Sequence, residues 1–109
     1  GGVQLELAYP SGARIPGTGG DTDVIASATF PPGFLNANDQ DTNSDTIDDR
    51  VDFAWASSGG TFTDLATVEF ECVPGEPIPT AGSFTCTIKS ASDDLGQDIQ
   101  GVTCTVTVQ

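Results

Sequence analysis

The segment GVQLELAYP, residues 2–10, decides the fold because its apolar side chains recur at every second position. Val3, Leu5, Leu7 and Tyr9 fall on one side of an extended chain, and polar or small residues fall on the other. A period of two residues is typical of a β-strand with one face in a hydrophobic core. The segment therefore predicts a half-buried strand near residue 2.

Five further runs have the same character and are separated by turns rich in Gly, Pro, Asn and Asp. They are DVIASATF (23–30), RVDFAWAS (50–57), LATVEFECV (65–73), SFTCTIK (83–89) and GVTCTVTVQ (101–109). The inward residues predicted for the last four are Val51, Phe53, Trp55, Ala66, Val68, Phe70, Cys72, Phe84, Cys86, Ile88, Val102, Cys104, Val106 and Val108. No long helical apolar stripe is present. The pattern predicts an all-β fold, a jelly-roll-like β-sandwich of about eight mainly antiparallel strands.

Length and hydropathy indicate one globular unit. The chain has 109 residues, the size of an ordinary domain, and neither a repeat nor a linker divides it. Residues 1–109 are therefore predicted to form a single domain. No run approaches the roughly 18 apolar residues of a membrane helix, so no membrane insertion is predicted.

The net charge of the chain limits the classes of partner that it can bind. Asp and Glu total 16 against only Arg14, Arg50 and Lys89, which gives a net charge of −13. Such a chain repels phosphate backbones and anionic membranes, so nucleic-acid binding is disfavoured. Compatible partners are cations, uncharged glycans, basic proteins, or copies of the chain in screening salt. Acidic, lysine-poor composition is also typical of proteins from high-salt habitats.

The stretch DQDTNSDTIDDRVD, residues 39–52, contains six aspartates and suggests two interpretations. Ca²⁺ prefers roughly six to eight oxygen ligands, and loop sites supply them at regular spacing. The candidate ligands are Asp41, Asn43, Asp45, Asp49 and Asp52. However, Thr46 stands where such loops usually have Gly, and Asp52 alternates with strand residues. A solvated acidic turn is therefore the alternative to a calcium site.

The side-chain inventory argues against an enzyme. The chain has no His, so Ser-His-Asp and Cys-His arrangements are impossible, and no residues are assigned as catalytic. No glycine-rich phosphate loop is present, and nothing predicts a cleft for a carboxylate pair. Trp55 and Tyr9 are in phase with core residues, so a glycan platform requires one ring to face solvent. Lys89 is out of phase with its strand and is predicted at the surface.

The order of the runs resembles a known family. GGVQLELAYP (1–10), VDFAWASSGGTFTDLATVEFECV (51–73) and GVTCTVTVQ (101–109) are similar to cohesin-like modules of bacterial extracellular proteins, a group related in outline to carbohydrate-binding modules. Pro10 stands where the family usually has Asp. The resemblance implies an extracellular or cell-surface β-sandwich.

The resemblance also suggests how the cysteines pair. Three cysteines, Cys72, Cys86 and Cys104, agree with a secreted protein. In the cohesin-like arrangement the first two face each other across the core, which implies a Cys72–Cys86 disulfide worth roughly 3 kcal/mol. Cys72–Cys104 is the alternative pairing. Metal binding by the three is disfavoured because there is no His and no C-x-x-C spacing.

Cohesin-like domains begin with one more strand than this sequence shows. The resemblance therefore implies an open slot between the strand at residues 2–10 and the closing strand. An upstream segment, a second copy or another protein could fill it by strand addition. We expect a non-catalytic extracellular module, a cell-surface or filament subunit that assembles by strand donation or sheet-edge pairing. The alternative is a binding module for a glycan or a dockerin-like protein, assisted by Ca²⁺.

Overall fold

The computed structural model describes residues 1–17, 21–44, 48–57, 66–93, 95–99, 101–102 and 104. The strands within them are β1 (Gly2–Ala8), β2 (Ala13–Arg14), β3 (Ala28–Thr29), β4 (Phe34–Gln40), β5 (Arg50–Ala56), β6 (Thr67–Val68), β7 (Glu71–Cys72) and β8 (Thr85–Ser92). One α-helix, α1, spans Asp21–Ala26, and a 3-10 turn spans Ala81–Ser83. All strand pairs are antiparallel, so the predicted all-β class is confirmed.

The main sheet has four strands in the order β4-β5-β1-β8. Its second interior strand, β1, pairs along its whole length on both sides, and Leu5 lies opposite Phe53 of β5 and Ile88 of β8. A register shift after Gln4 leaves Lys89 as the extra residue of a β-bulge in β8. The prediction of an open slot beside β1 is therefore wrong, because β5 pairs with one edge of β1 and β8 pairs with the other.

The core lies against one face of this sheet. The predicted inward residues of β1 and β5 are buried, which confirms their period-two pattern. The opposite side of the core is formed by α1 and by two short ribbons, β2–β7 and β3–β6. Burial of each large apolar side chain contributes about 1.5–3 kcal/mol. The described residues thus show one sheet with a covering layer, and the jelly-roll sandwich stays a prediction.

The run at 23–30 was predicted as a strand, and this is wrong for its first half. Asp21–Ala26 is helical, and only Ala28–Thr29 is extended. The N–H and hydroxyl of Ser27 both donate to the Asp23 carbonyl, at 3.0 and 2.9 Å, which closes the helix. One turn is enough to bury Val24 completely. Within the described residues, no helix is long and apolar enough to cross a bilayer.

The run at 65–73 was predicted as one strand but contains two. β6 pairs with β3, whereas β7 pairs with β2. Val68 and Phe70 are half-buried, but Ala66 and Cys72 are exposed rather than inward. Because the two short strands join different ribbons, the chain cannot keep one continuous alternation across them.

The next run follows its prediction more closely. In and just before β8, Phe84, Cys86 and Ile88 are half-buried, while Thr87 and Lys89 are exposed. Of the predicted closing strand at 101–109, the structure describes residues 101, 102 and 104. The remainder of that prediction lies outside the described residues.

Candidate functional site

The acidic stretch at 39–52 connects two strands of the main sheet. It contains the end of β4, a loop and the first residues of β5. Asp41 and Asn43 lie in the loop, Asp49 directly precedes β5, and Asp52 lies within β5. Asp45 lies outside the described residues. The candidate calcium ligands are therefore spread over a hairpin.

Hydrogen bonds within this loop already involve two of its carboxylates. Thr42 donates from its N–H and its hydroxyl to Asp49 Oδ1, at 3.0 and 2.8 Å. The Asn43 N–H donates to Asp41 Oδ1 at 3.1 Å. Such side chain–backbone contacts are the ordinary means by which Asp stabilises a turn. The geometry agrees with the solvated-turn interpretation.

Asp52 is engaged elsewhere. Arg50 Nε donates to Asp52 Oδ1 at 2.9 Å, and Arg50 Nη2 donates to Oδ2 at 3.1 Å. Both carboxylate oxygens are thus bound in a two-pronged ion pair. Among the residues described, no three His, Cys, Asp or Glu side chains are grouped to hold a metal ion. The calcium site stays a prediction.

Within the acidic stretch, the side chain of Asp39 points toward the core. The Tyr9 hydroxyl donates to Asp39 Oδ1 at 2.6 Å. Burial raises the pKa of the Asp39 carboxyl above its usual value, and the hydrogen bond from Tyr9 opposes that rise. Burial, followed by the contact with Asp39, also raises the pKa of the Tyr9 phenol. The Asp39 carboxyl group therefore lies on the core side of the sheet, against Tyr9, and does not point outward from the edge of β4.

The disulfide is not the one expected. The segment after β8 folds back along it, because Ser92 pairs with Asp98 and the Ile99 N–H donates to the Ala91 carbonyl at 2.9 Å. Continuing that register along β8 brings position 104 opposite position 86. There the structure forms a Cys86–Cys104 bridge, with Cα atoms 5.7 Å apart.

The predicted Cys72–Cys86 pairing is therefore wrong, as is its alternative, Cys72–Cys104. Cys72 is a free, exposed cysteine on the short strand β7, where it lies opposite Ala13. The physical reason is the split of the 65–73 run, which turns Cys72 away from the core. A bridge between neighbouring antiparallel segments takes the place of one across the core.

Trp55 and Tyr9 are core residues, as their phase predicted. Both are buried, so neither ring forms a glycan platform. The Trp55 indole N–H donates to the Pro31 carbonyl at 3.0 Å, and Phe30 stacks on the indole with ring centroids 6.5 Å apart. A Cβ at Gly33 would lie 2.8 Å from Trp55 Nε1, so this approach requires glycine. The contacts attach the segment before β4 to β5.

Among the described residues, the exposed aromatic ring is that of Phe34, which the sequence did not single out. It is 81% exposed at the first position of β4. It ends the segment PPGF (31–34), and the Pro and Gly residues before it obscured the strand that follows. The signal that could have revealed β4 is the alternation of Leu35 and Ala37 with Asn36 and Asn38.

The outer face of the sheet is polar but nearly neutral. Two of the three basic residues of the chain lie there, and each is paired with an acid. Arg50 binds Asp52, and Lys89 Nζ lies 3.8 Å from Glu6 Oε1. Because these charges compensate each other, this face differs from the rest of a strongly acidic molecule.

A shallow open trough of about 320 Å³ crosses this face. Its floor includes Ala54, which lies opposite Gln4 on one side and Asn36 on the other. The small side chain of Ala54 leaves room between the two amides. The remaining polar lining is contributed by Glu6, Asn38, Asp52 and Lys89.

The hydrogen bonds between β1 and β5 determine which way the backbone N–H and C=O groups of β4 point. Gly1 and Ser57 exchange reciprocal backbone hydrogen bonds of 2.6 and 2.8 Å. In an antiparallel pair such reciprocal bonds recur at every second residue, so odd-numbered residues of β5 bond to β1. Even-numbered residues of β5 therefore direct their backbone N–H and C=O groups toward β4. Their partners in β4 are also even-numbered.

Odd-numbered residues of β4 consequently direct their N–H and C=O groups away from the sheet. Ala37 confirms this direction, because its N–H donates to the side chain Oδ1 of Asn36 at 3.1 Å instead of to β5. Among the described residues, β5 is the one strand that pairs with β4. Within the described residues, no strand pairs with this outer edge of β4, and α1 packs against the same strand.

No family model, curated protein or solved structure matches this chain.

Proposed function

We propose that the chain is a non-catalytic extracellular structural module, a cell-surface or filament subunit that joins its neighbours by sheet-edge pairing. The observation that carries this proposal is the edge of β4, where the backbone groups of Leu35 and Ala37 point outward. Adding a strand to such an edge supplies regular main-chain hydrogen bonds to a partner. The Cys86–Cys104 disulfide agrees with an oxidising, extracellular setting.

The charge of the edge supports the same function. The chain carries a net charge of −13, yet residues 34–38 have no charged side chain. Natural edge strands are usually protected by charges, proline or bulges. β4 has none of these over its first five residues, and the Asp39 carboxylate that follows is turned inward to Tyr9. An edge without these protections is suited to association.

A proline at the edge tests this function. Leu35→Pro removes an outward N–H without removing a bond between β4 and β5, because the Leu35 N–H faces away from β5. Leu35→Ala is the matched control, since it also truncates the side chain but keeps the donor. We expect the proline variant to lose at least tenfold in association constant in sedimentation velocity, and the alanine variant to retain association.

Electron microscopy of native material provides the second readout. The proposal expects ordered fibres or surface arrays that the Leu35→Pro chain cannot enter. Circular dichroism of both variants checks that the sheet is intact. Equal assembly by the proline and alanine variants would contradict a role for this edge.

The trough on the outer face favours a second candidate function, binding of a neutral glycan. Its amide side chains donate and accept hydrogen bonds, as sugar hydroxyls do. Its charges are compensated within the protein, which suits an uncharged ligand. Phe34 lies on the same face at the end of the sheet and offers one exposed ring.

Affinity electrophoresis tests this candidate. Migration of the protein is compared in gels that contain soluble galactomannan, hydroxyethylcellulose or laminarin, with anionic alginate as a contrast. Ala54→Leu should fill the trough and abolish retardation, whereas Thr85→Leu places the same side chain on β8, away from the trough. The candidate fails if no neutral polysaccharide retards the protein, or if both variants behave alike.

A further inference from the structure

From the geometry of β4 we infer that its partner is β4 of a second copy, which runs antiparallel to the first with Asn36 at the two-fold axis. This inference rests on the proposed edge pairing and names its occupant. The pairing would join two four-stranded sheets into one continuous sheet of eight strands. Two-fold symmetry is the commonest arrangement among homo-oligomers, and it makes the same surface serve both partners.

The direction of the backbone groups limits the register. Residues with outward N–H and C=O groups must face one another, so odd-numbered residues of one copy meet odd-numbered residues of the other. With Asn36 at the axis, Leu35 of each copy lies opposite Ala37 of its partner and the two exchange reciprocal hydrogen bonds. Asn36 then faces its own counterpart as a pair without backbone hydrogen bonds.

Charge selects this register from those that symmetry permits. The uncharged residues 34–38 are centred on Asn36, so this axis opposes the uncharged segment to itself. Moving the axis one residue toward the carboxyl end places Asp39 within the paired segment. Moving it one residue toward the amino end places Ala37 opposite Gly33, which lies before the start of β4. In a chain of net charge −13, the neutral segment is where a second copy approaches with least repulsion.

The Asn36 side chain forms hydrogen bonds both in the single chain and in the proposed pair of chains. In the single chain its Oδ1 accepts the outward Ala37 N–H at 3.1 Å, so the donor is not left without a partner. In the pair, the carbonyl of Leu35 from the other copy takes that place, and the Asn36 amide is released. The two Asn36 side chains then lie side by side on the outer face, where their amides can bond to each other.

A cysteine at the axis tests the register. Asn36→Cys is made in a Cys72→Ser background, because Cys72 is a free, exposed thiol. Directly opposed residues of an antiparallel pair have Cβ atoms about 4.5–5.5 Å apart, close to the separation in a disulfide. Asn38→Cys is the matched control, because its two copies would lie four residues apart along the strands, roughly 13 Å. Thr87→Cys controls for random collision from another strand.

We expect Asn36→Cys to form a disulfide-linked dimer on mild oxidation at least fivefold faster than Asn38→Cys or Thr87→Cys, as measured on non-reducing gels. The rate should increase with salt, because screening weakens the repulsion between two acidic chains. Equal rates at positions 36 and 38, or no dimer at position 36, would overturn the inference.

The two proposals fail in different ways. If Asn36→Cys does not cross-link but Leu35→Pro still abolishes assembly of native material, edge pairing stands and its occupant is not β4 of a second copy. If Leu35→Pro has no effect on assembly, the proposed function itself fails. Unfolding midpoints of the cysteine variants establish that each contains a native sheet.

Discussion

β1 and β4 are seven-residue strands of one sheet that differ in what lies beside them. β1 has a paired strand on both edges, and all three of its inward side chains are buried. β4 pairs with β5 alone among the described residues, and of its inward side chains only Ala37 is buried. The interior strand therefore carries stability, while the outer strand retains backbone groups that can serve a partner.

Phenylalanine occurs in both environments and gives the largest expected contrast. Phe53 is 2% exposed on β5, whereas Phe34 is 81% exposed on β4. We expect Phe53→Ala to lower the free energy of unfolding by about 3–5 kcal/mol. Phe34→Ala should change it by less than about 0.5 kcal/mol. Urea unfolding followed by circular dichroism measures both, and similar losses would mean that β4 is as important to stability as the interior strand β5.

The disulfide provides the next largest effect, at the edge opposite β4. Cys86→Ser removes a bridge between positions 18 residues apart, which should cost about 3 kcal/mol. Cys72→Ser alters a free, exposed thiol and should leave the melting temperature nearly unchanged. A loss from Cys72→Ser as large as that from Cys86→Ser would instead restore the Cys72–Cys86 pairing that the resemblance implied.

A smaller, pH-dependent effect distinguishes the inner faces of the two strands. In the row that contains Leu7 of β1 and Val51 of β5, β4 contributes Asp39. Because the pKa of Asp39 is raised in the folded protein, the folded state holds its proton more tightly than the unfolded state does. Ionisation therefore reduces stability as the pH rises through and above the ordinary range for Asp.

Asp39→Asn should accordingly gain stability relative to the natural chain as the pH is raised from about 3 to about 7. Tyr9→Phe should steepen the pH dependence, because it removes the hydrogen bond that lowers the pKa of Asp39. Denaturant unfolding at several pH values measures both trends. A difference that is constant with pH would show that ionisation of Asp39 does not contribute.

The smallest expected effect concerns the loop between β4 and β5. Its carboxylates at Asp41 and Asp49 already accept hydrogen bonds, and Asp52 is paired with Arg50. We expect millimolar Ca²⁺ to shift the melting temperature no more than Mg²⁺ at equal ionic strength, since a specific ligand of the folded state would stabilise it. A Ca²⁺-specific rise that Asp41→Asn abolishes would instead establish the calcium site.

The same comparison shows what the sequence can predict. β1 and β5 bury apolar side chains at every second position, so their period was sufficient to identify them. In β4 the inward positions hold Leu35, Ala37 and Asp39, and the polar residue at the third of these breaks the alternation. A strand that needs to bury only one side chain leaves a weak apolar pattern, and this is why the candidate interaction edge was missed.

The covering layer was harder to predict for a different reason. Its strands are two residues long, which is too short for any periodicity to develop. α1 brings a single fully buried side chain, Val24, to the core. The disulfide depends on where the segment after β8 returns, and this is set by tertiary contacts that the spacing of cysteines does not encode.

The indole of Trp55 gives this molecule an internal optical reporter. It is the single tryptophan of the chain, and its N–H is bound to the Pro31 carbonyl just ahead of β4. Release of that segment would admit water to the ring and shift its fluorescence to longer wavelength. Loosening of the outer strand can therefore be timed by emission, separately from collapse of the whole sheet, without attaching a dye.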